Sequence, residues 1–530
     1  MIASQLLHPF KLDQKIELIV NRRFNKPSSC ACTLGCIRKI LQSAILRRTP
    51  TEHPFFLLHG TRRPPVANSV PSTDSAHPVN DRREIAGWRL YDWANSGFTT
   101  TVIAALFGPF LEALAKEAVG DGGTVLSLGI YKVTAESLYP DAVSLSVLLQ
   151  FLFLPLLGAL ADYTNIKKQL LMFFCLLGAA ATTMLYIATP ATYLFAALAF
   201  VVANLSFGAS IVFYNAFLNE ITTEDMRDKV SSQGFAFGYI GGGVLLAVNL
   251  VLVVFAETFG LTTSMAVRIS LASAGLWWGI FGYFGIQRLK NRASARKVPA
   301  GQHYLTVSVR ELRSAFRDLG RLRQTLRFLI GYLLYNDGIQ TVIGISSVFL
   351  VNELFIAKGQ SSDDAQSFLL GLVLMIQFVA FGGALGFERI SRKVGTKRAI
   401  LISLFIWTGV IVYAYAFLDS VFQAWFMGAA IALVLGGSQS LSRALFSRMI
   451  PHGREAAFYG IYEISERGTS WIGPFIFARV IAATGSYRQA ILSLIALFAG
   501  GIVILLLTNT TKAIHDAGNQ LPEEAAASHS

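Results

Sequence analysis

The sequence is poor in charge: only 15% of its 530 residues are Asp, Glu, Lys or Arg, while 53% are hydrophobic. Water-soluble globular domains carry about 25% charged residues. The shortage therefore argues against the several soluble domains that the length alone would suggest. It indicates a chain whose solvent is largely lipid.

Cysteines and enzyme signatures are also scarce. The cluster Cys30, Cys32 and Cys36 lacks the companion Cys/His pair that a zinc site requires, and nothing in the spacing of the four cysteines implies a disulfide framework. No Gly-x-x-x-x-Gly-Lys-Ser/Thr loop occurs, which argues against an ATP-driven pump. None of the eight histidines falls in an apolar run. We expect neither an enzyme, nor a cofactor, nor a metal site.

What the sequence does contain is a series of apolar runs of about 20 residues, the length that a helix needs to cross about 30 Å of hydrocarbon. They predict an all-α polytopic membrane protein with twelve spans in two groups. The first group is 89–112, 142–161, 169–189, 192–217, 232–256 and 266–286. The second group is 328–354, 368–387, 399–418, 421–450, 458–484 and 489–508.

These spans divide the chain into five parts. The predicted parts are a basic N-terminal extension (1–81), a six-helix bundle (82–286), a basic cytoplasmic linker (287–327), a second six-helix bundle (328–508) and a cytoplasmic tail (509–530). We interpret the extension as disordered or as translation from upstream of the true start, with an organellar transit peptide as the alternative. Apolar residues spaced among arginines at the end of the linker predict either an amphipathic helix on an anionic membrane surface or a solvated tether.

The net charge of +13 follows the loops rather than one compact patch, which makes nucleic acid a poor partner. One side of the predicted membrane, here called the basic side, collects Arg82, Arg83, Arg89, Lys167, Lys168, Arg227, Lys229, the linker and the bases of 389–398. The other side carries mainly acids. The positive-inside rule predicts that the basic side is cytoplasmic, with both termini inside. The compact linker favours a bacterial inner membrane.

The two groups of spans have features of an internal duplication. Gly208-Ala209-Ser210 in the fourth span matches Gly436-Gly437-Ser438 in the tenth, and both groups begin on the same side of the membrane. Such parallel repeats are related by an axis along the membrane normal, and their substrate site lies between them near the midplane. Polar residues on the spans that face this site are therefore the candidates for contact with a solute.

Polar stripes occur on several spans. In the first span Asp92, Asn95, Ser96 and Thr99 recur at i, i+3, i+4 and i+7, which is one face of a helix. The tenth span repeats this spacing with Gly436, Gln439, Ser440 and Arg443. The fourth span carries a similar stripe of Asn204, Gly208 and Asn215. These side chains are candidates for binding a small polar solute.

Asp337 is the candidate coupling acid. It lies nine residues beyond the start of the seventh span, so about 14 Å deep, and shares a face with Gln340 and Thr341. An intramembrane acid is costly and usually functional; this one would exchange a proton as the cavity opens to either side. The alternative is a structural acid bonded to a neighbouring helix. Arg443 would either anchor a substrate carboxylate or neutralise Asp337.

Three other charged residues of the spans each have two candidate roles. Glu463 and Arg467 at i, i+4 form either a locally neutral pair or a coupling pair. Asp92 stands only three residues from Arg89, which favours a gate at the cytoplasmic mouth or a pair with Arg89 over substrate binding.

The loop after the second span carries a known pattern. Gly158, then Asp162 four residues on, then Lys167 and Lys168, resembles the cytoplasmic signature of the major facilitator superfamily, which latches helix ends together. The equivalent loop in the second half has Arg392 where the acid would stand, so a second latch is in doubt.

Four longer motifs extend this resemblance. They are Leu90–Ser96, Phe213–Glu220, Tyr335–Thr341 and Gly436–Arg443. All resemble the family that includes the autophagy-related vacuolar amino-acid effluxers and many uncharacterised bacterial members. The resemblance spans roughly 85–508 and implies a major facilitator fold in which the first, fourth, seventh and tenth spans line the cavity. It also implies a transporter with amino acids as the substrate class, and a vacuolar membrane as the alternative location.

We therefore predict a secondary active transporter that moves a small polar solute, favouring an amino acid and efflux, by alternating access and with proton coupling as a hypothesis. One alternative is a non-transporting membrane sensor or scaffold that uses the basic linker. Another is a facilitator for a sugar or a drug. The expected partners are the solute, protons and membrane lipid.

Overall fold

Long helices make up nearly all of the described chain, in agreement with the all-α prediction. The computed structural model describes residues 79–128, 131–162, 165–292, 304–359, 362–467 and 472–524. The expectations for the N-terminal extension up to residue 78, including its three cysteines, lie outside these ranges.

The helices follow one another along the chain with short connections. The N-terminal half consists of α1 (Arg82–Gly97), a π-helix (Phe98–Leu106), α2 (Phe107–Val119), α3 (Leu138–Asp162), α4 (Lys167–Thr183), α5 (Tyr193–Ile221), α6 (Arg227–Val254) and α7 (Thr263–Gln287). The linker forms α8 (Tyr304–Arg321). The C-terminal half consists of α9 (Arg323–Leu354), α10 (Ser362–Val394), α11 (Thr396–Ala416), α12 (Val421–Arg448), α13 (Glu455–Arg467), α14 (Ile472–Thr484), α15 (Tyr487–Ser493) and α16 (Ile495–Leu507), and α17 (Thr510–Asp516) follows.

Eleven helical segments in the described ranges are long and apolar enough to cross a membrane. They correspond in order to the predicted spans except the eleventh. The predicted span 458–484 is found instead as two helices, α13 and the shorter apolar α14, and residues 468–471 between them are not described. Pro474 lies in the first turn of α14, where its missing N–H costs no helical hydrogen bond.

The first span starts earlier than predicted. Asp81 caps α1 by accepting a hydrogen bond from Arg83 N at 2.9 Å, so the helix begins at Arg82 rather than at Arg89. The lysine Lys290 also binds the Asp81 carboxylate, and the two interactions lower the pKa of Asp81. Asp92 consequently lies ten residues into the helix, about 15 Å from its start. This is deeper than the sequence suggested.

A short β-hairpin, which the sequence analysis did not predict, connects the first and second spans. Strand β1 (Thr124–Leu128) pairs with β2 (Tyr131–Thr134) in antiparallel register. The hairpin follows Gly120, whose φ of 84° ends α2 in a conformation that glycine adopts without steric cost. It lies on the side opposite the basic side, outside the helical bundle.

Glycines on α6 pack this helix closely against α1 within the N-terminal half. A Cβ at Gly234 would lie 2.6 Å from the Trp88 ring, and one at Gly238 would lie 2.7 Å from Ser96 Oγ. The helices thus touch at positions where only glycine fits, as the repeat of glycine every four residues indicates. This contact fixes the orientation of the polar face of α1.

The two halves meet along α3 with α13, and along α6 with α10 and α12. The linker helix α8 lies against α3 and α13. It is helical, as the amphipathic pattern predicts, and it is docked on the protein rather than held away from it as a solvated tether. The halves therefore enclose a space between α1, α5, α9 and α12.

Candidate solute site

A cavity of about 630 Å³ lies between the two halves. Its size falls within the range of about 300–1,000 Å³ that is typical of small-molecule sites. The polar residues that line it are Asp92, Asn95, Ser96, Thr99, Asn204, Asn215, Gln340, Gln439 and Arg443, and its aromatic residues include Phe235, Tyr239, Tyr332 and Tyr462. All four polar residues of the first-span stripe are among them: Asp92, Asn95 and Ser96 lie in α1, and Thr99 lies in the π-helix that follows.

The charged part of the cavity wall is an ion pair that joins the two halves. Arg443 Nη2 lies 3.9 Å from Asp92 Oδ2. Arg443 also donates from Nε to Ser231 Oγ at 2.9 Å, from Nη2 to the Ser231 carbonyl at 2.9 Å and from Nη1 to Asn215 Oδ1 at 3.2 Å. Because a guanidinium has five N–H donors, two remain for Asp92 or a solute.

Aromatic rings surround this guanidinium. Arg443 Cζ lies 4.3 Å from the ring centre of Phe235, 4.9 Å from Trp88 and 5.5 Å from Tyr214. Tyr214 in turn donates its hydroxyl hydrogen to Asp92 Oδ2 at 2.8 Å. The rings stabilise the cation through their π faces, and only 5% of the Arg443 surface is exposed.

Asn215 extends the polar network to Glu463. Its Nδ2 donates to Glu463 Oε1 at 3.0 Å while its Oδ1 accepts from Arg443. Glu463 is buried, with 1% of its surface exposed. The expected partner Arg467 lies in the same helix, but its side chain is outside the described residues. The network thus contains two acids, Asp92 and Glu463, around one arginine.

Two buried amide atoms on the cavity wall have no hydrogen-bond partner among the described residues: Asn95 Nδ2 and Asn204 Oδ1. The other amide atom of Asn204, Nδ2, donates to Ser146 Oγ at 2.7 Å, which holds the side chain in place. A buried polar atom without a partner costs free energy unless a solute or water satisfies it. These two atoms therefore add a donor group and an acceptor to the free N–H groups of Arg443 for binding a small polar molecule.

Asp337 lies in a different environment from the one expected for a cavity acid. Gln340 lines the cavity, but Asp337 does not. Its Oδ2 accepts a hydrogen bond from Gly473 N at 2.7 Å, at the N-terminus of α14. Thr341 contacts the same point, since a Cβ at Gly473 would lie 2.0 Å from Thr341 Oγ1. This is the geometry of the structural alternative, an acid bonded to a neighbouring helix.

Asp92 and Arg89 do not face each other as a pair. Arg89 Nη1 donates to Gln233 Oε1 at 3.2 Å, and its guanidinium lies 5.2 Å from the Phe237 ring centre. Asp92 is on the cavity wall beside Arg443 instead. The two residues share a face of α1, but each is engaged by other partners, Arg89 by Gln233 and Asp92 by Arg443.

The predicted latch residues of the second span meet the C-terminal half. Asp162 accepts hydrogen bonds from the backbone N–H groups of Ala456 at 3.0 Å and Ala457 at 2.8 Å, at the first turn of α13. A Cβ at Gly158 would lie 2.1 Å from Ala456 O. Lys167 pairs with Glu220 and lies 4.0 Å from Asp162. The carboxylate thus holds the positive end of a helix in the opposite half.

Lys168, the fourth residue of the signature, has a separate role. Its Nζ donates to the Leu289 carbonyl at 2.7 Å and to the Gln287 carbonyl at 3.1 Å. These carbonyls stand at the end of α7, where a cation interacts favourably with the helix dipole. Lys168 therefore stabilises the N-terminal half rather than joining the halves.

A second contact between the halves uses an acid that the sequence analysis missed. Asp228 at the start of α6 pairs with Arg448 at 2.8 Å and accepts hydrogen bonds from Thr396 Oγ1 at 2.6 Å and Ser391 Oγ at 3.1 Å. Arg392, which occupies the acid position of the signature, pairs with Glu388 in its own helix. The signal was present in the sequence, since Asp228 is an acid at the basic end of a span.

These contacts close the basic side of the molecule. The hydrogen bonds between the halves cluster between the basic helix ends and the ion pair, and include those from Asn219 and Arg227 to the Ser447 carbonyl. The cavity extends from the ion pair in the other direction, towards Ile103 and Val143. The cavity is thus shut off from the basic side.

Comparisons with known proteins agree with this architecture. A sequence model of the family described as "Vacuole effluxer Atg22 like" matches residues 80–518. An uncharacterized MFS-type transporter of Bacillus subtilis, YxiO, is 29% identical over 439 residues, which cover 82% of this chain and 97% of that protein. Autophagy-related protein 22-1 of Penicillium rubens is 25% identical and covers 84% of this chain and 92% of its own length.

Solved structures show the fold. The human organic anion transporter MFSD10 has a TM-score of 0.58 at 15% identity, covering 81% of this chain and 100% of that one. The transporter FucP, in its outward conformation, has a TM-score of 0.56 at 12% identity, covering 81% of this chain and 98% of that one. The predicted major facilitator fold is therefore confirmed.

Proposed function

We propose, on the premise that this chain belongs to the vacuole effluxer Atg22-like family, that it carries a zwitterionic solute of the amino-acid type across the membrane by alternating access. The chain is a multi-pass integral membrane protein and an MFS-type transporter. The class of solute, the coupling of its transport to protons and the direction of transport are what we propose.

The observation that supports a zwitterion is the loosely paired Asp92 and Arg443 on the cavity wall. Their 3.9 Å separation is at the outer limit of an ion pair, and two N–H donors of Arg443 are uncommitted by its other partners. A carboxylate would bind to the guanidinium, while an ammonium group would bind to Asp92. A sugar or an apolar drug would leave this desolvated pair unused.

Binding between these two groups gives a reason for the halves to move. The solute would replace the Asp92–Arg443 contact, which joins α1 and α12 across the halves. The latches at Asp162 and Asp228 hold the basic side closed, so their release would open the cavity to that side. With the basic side cytoplasmic, as proposed from the charge bias, the described state faces outward and efflux would require the opposite state.

Proton coupling is proposed for the network of Asp92 and Glu463 rather than for Asp337. The network has two acids around Arg443 and links the halves through Asn215, so a proton bound there alters the attraction between the halves. In the part of the chain that the structure describes, Asp337 bonds to a helix of its own half. A proton on Asp337 would therefore act on α14 and not directly on the contact between the halves.

The decisive experiment is solute counterflow with the full chain in liposomes. We expect exchange of labelled amino acids, and weak or no exchange of the corresponding amines and carboxylic acids that carry only one of the two charges. Exchange of sugars alone would overturn the zwitterion proposal. Absence of counterflow for every solute in the panel would favour a sensor or scaffold.

The proposed movement of the two halves can be tested with the variant Gly158→Val. A side chain there would collide with Ala456 O, so we expect spin labels on α3 and α13 at the basic side to move apart. Gly409→Val is the matched control, because nothing lies within 4 Å of a Cβ at that position. Equal label distances in the two variants would contradict the proposed latch.

A further inference from the structure

The linker helix α8 has two faces with different composition. The inner face, which includes Ser308, Glu311, Ala315 and Leu319, is buried in the described structure. Glu311 pairs with Arg454 at 2.5 Å, and Asp318 also pairs with Arg454. Both acids of α8 are therefore engaged with the transporter body at the loop before α13.

The outer face carries bases and apolar residues along the part of α8 whose side chains are described, from residue 308 onward. Its exposed residues are Val309, Arg310, Arg313, Phe316, Arg317, Gly320 and Arg321. Half of the Phe316 surface and 56% of the Val309 surface are exposed. Aromatic and aliphatic side chains among arginines are the composition of a helix that lies at a membrane surface.

An apolar groove runs beside this face. Its volume is about 360 Å³, and its walls come from α3, α8, α9 and α13: Phe151, Phe316, Leu319, Leu326, Leu329, Ile330 and Leu333 are among the residues that line it. Phe151 and Ile330 are also exposed on the outer surface of their spans. The groove therefore opens on the surface that faces lipid, where an acyl chain reaches it directly.

We propose that α8, α3 and α9 form a binding site for one anionic phospholipid. An acyl chain occupies the groove against Phe316, and the phosphate binds Arg313 and Arg317, which stand one turn apart on the exposed face. Arginine pairs with phosphate through parallel N–H donors, and the anionic leaflet attracts clustered bases. The bound lipid holds α8 against the body, where Arg454 already binds its two acids.

The experiment measures lipid binding to the full chain in a neutral detergent by native mass spectrometry. Phosphatidylglycerol is the probe, phosphatidylcholine the neutral comparison and glycerol 3-phosphate the headgroup without a chain. We expect phosphatidylglycerol to bind most tightly, and Arg313→Gln/Arg317→Gln to weaken it by about tenfold. Phe316→Ser should weaken phosphatidylglycerol several-fold while leaving the weak binding of glycerol 3-phosphate unchanged.

Matched control variants remove two arginine charges or one aromatic ring at positions outside the proposed lipid site. Arg389→Gln/Arg398→Gln removes two exposed charges from the basic side, and Phe422→Ser removes an aromatic ring that is 70% exposed; both should bind lipid like the unmodified chain. Equal weakening by the two double variants would overturn the site. Equal affinity for the two phospholipids would also overturn it, because the groove would then accept any lipid. Full competition by glycerol 3-phosphate would overturn it as well, because the phosphate site would then need no acyl chain.

Discussion

Helices α1 and α9 occupy corresponding places in the two halves and carry acid, amide and hydroxyl residues at the same spacing: Asp92, Asn95 and Ser96 on one, Asp337, Gln340 and Thr341 on the other. The amides of both helices line the cavity, but the acids have different partners. Asp92 faces Arg443 of the opposite half, whereas Asp337 caps α14 of its own half.

The depth of an acid in the membrane therefore does not determine its role by itself. A rocking motion of the halves changes the distance between Asp92 and Arg443 because the two residues belong to different halves. The same motion leaves Asp337 and Gly473 together, since both belong to the C-terminal half. Four predictions test this contrast, beginning with the largest expected effect.

Arg443→Ala should abolish most transport. It removes the partner of Asp92 and three further hydrogen bonds, and loss of one member of a buried pair costs about 3–5 kcal/mol. We expect counterflow to fall by more than about 100-fold. Arg443→Lys keeps the charge but loses the planar fork and should retain more activity. Equal rates for Arg443→Ala and the unmodified protein would remove the ion pair from the mechanism.

Asp92→Asn and Asp337→Asn should separate coupling from structure. In liposomes with an imposed pH gradient, Asp92→Asn should reduce the stimulation of uptake by about tenfold, which corresponds to about 1.4 kcal/mol. Asp337→Asn should keep the stimulation, because its carboxylate bonds within one half. The reverse result would return the coupling role to Asp337, as its depth in the span predicts.

The amides of the two helices should contribute alike. Asn95→Ala and Gln340→Ala each remove one polar group from the cavity wall, and a lost hydrogen bond is worth about 1 kcal/mol. We expect the KM for the solute to rise about fivefold in each variant. Thr341→Val is the control, because the Thr341 hydroxyl donates to the Asp337 carbonyl within α9. A KM change confined to one amide would mean that only one half contacts the solute.

The smallest expected effect concerns stability. Asp337→Ala should lower the free energy of unfolding by about 1 kcal/mol, the usual value of a helix N-cap. Asp337→Asn should lower it less, because an amide oxygen still accepts a hydrogen bond from Gly473 N. Thermal unfolding of both variants in detergent gives the measurement. A higher melting temperature for Asp337→Ala would show that the acid is strained rather than stabilising.

Residue spacing was sufficient to predict some members of the site. Asn95, Asn204, Asn215, Gln340, Gln439 and Arg443 were identified from helical spacing, and all of them line the cavity. A polar face on a lipid-solvated helix has to point inward, since hydrocarbon cannot satisfy it. The partners of these residues were not predictable in the same way. Spacing within α12 gives no information on whether Arg443 meets Asp92, Asp337 or a solute.

The second latch illustrates the same limit. The sequence pattern placed the expected acid at position 392, where an arginine stands, and so left the latch in doubt. The acid comes instead from Asp228 in the other half, which meets Arg448 and Thr396. A linear motif describes one loop, while the contact is assembled from α6, α11 and α12.

Local features of the sequence were sufficient to predict the lipid solvent, the order of the spans except the eleventh, and the helix faces that carry polar residues. These properties are local: hydrocarbon requires about 20 apolar residues per helix, and the helical period assigns each side chain to a face. The packing of the helices determines three further features: which acid meets Arg443, which acid caps a helix, and where the linker helix docks. Those outcomes depend on the distances between helices that are far apart in the chain, and close packing at glycines such as Gly158 and Gly234 sets these distances.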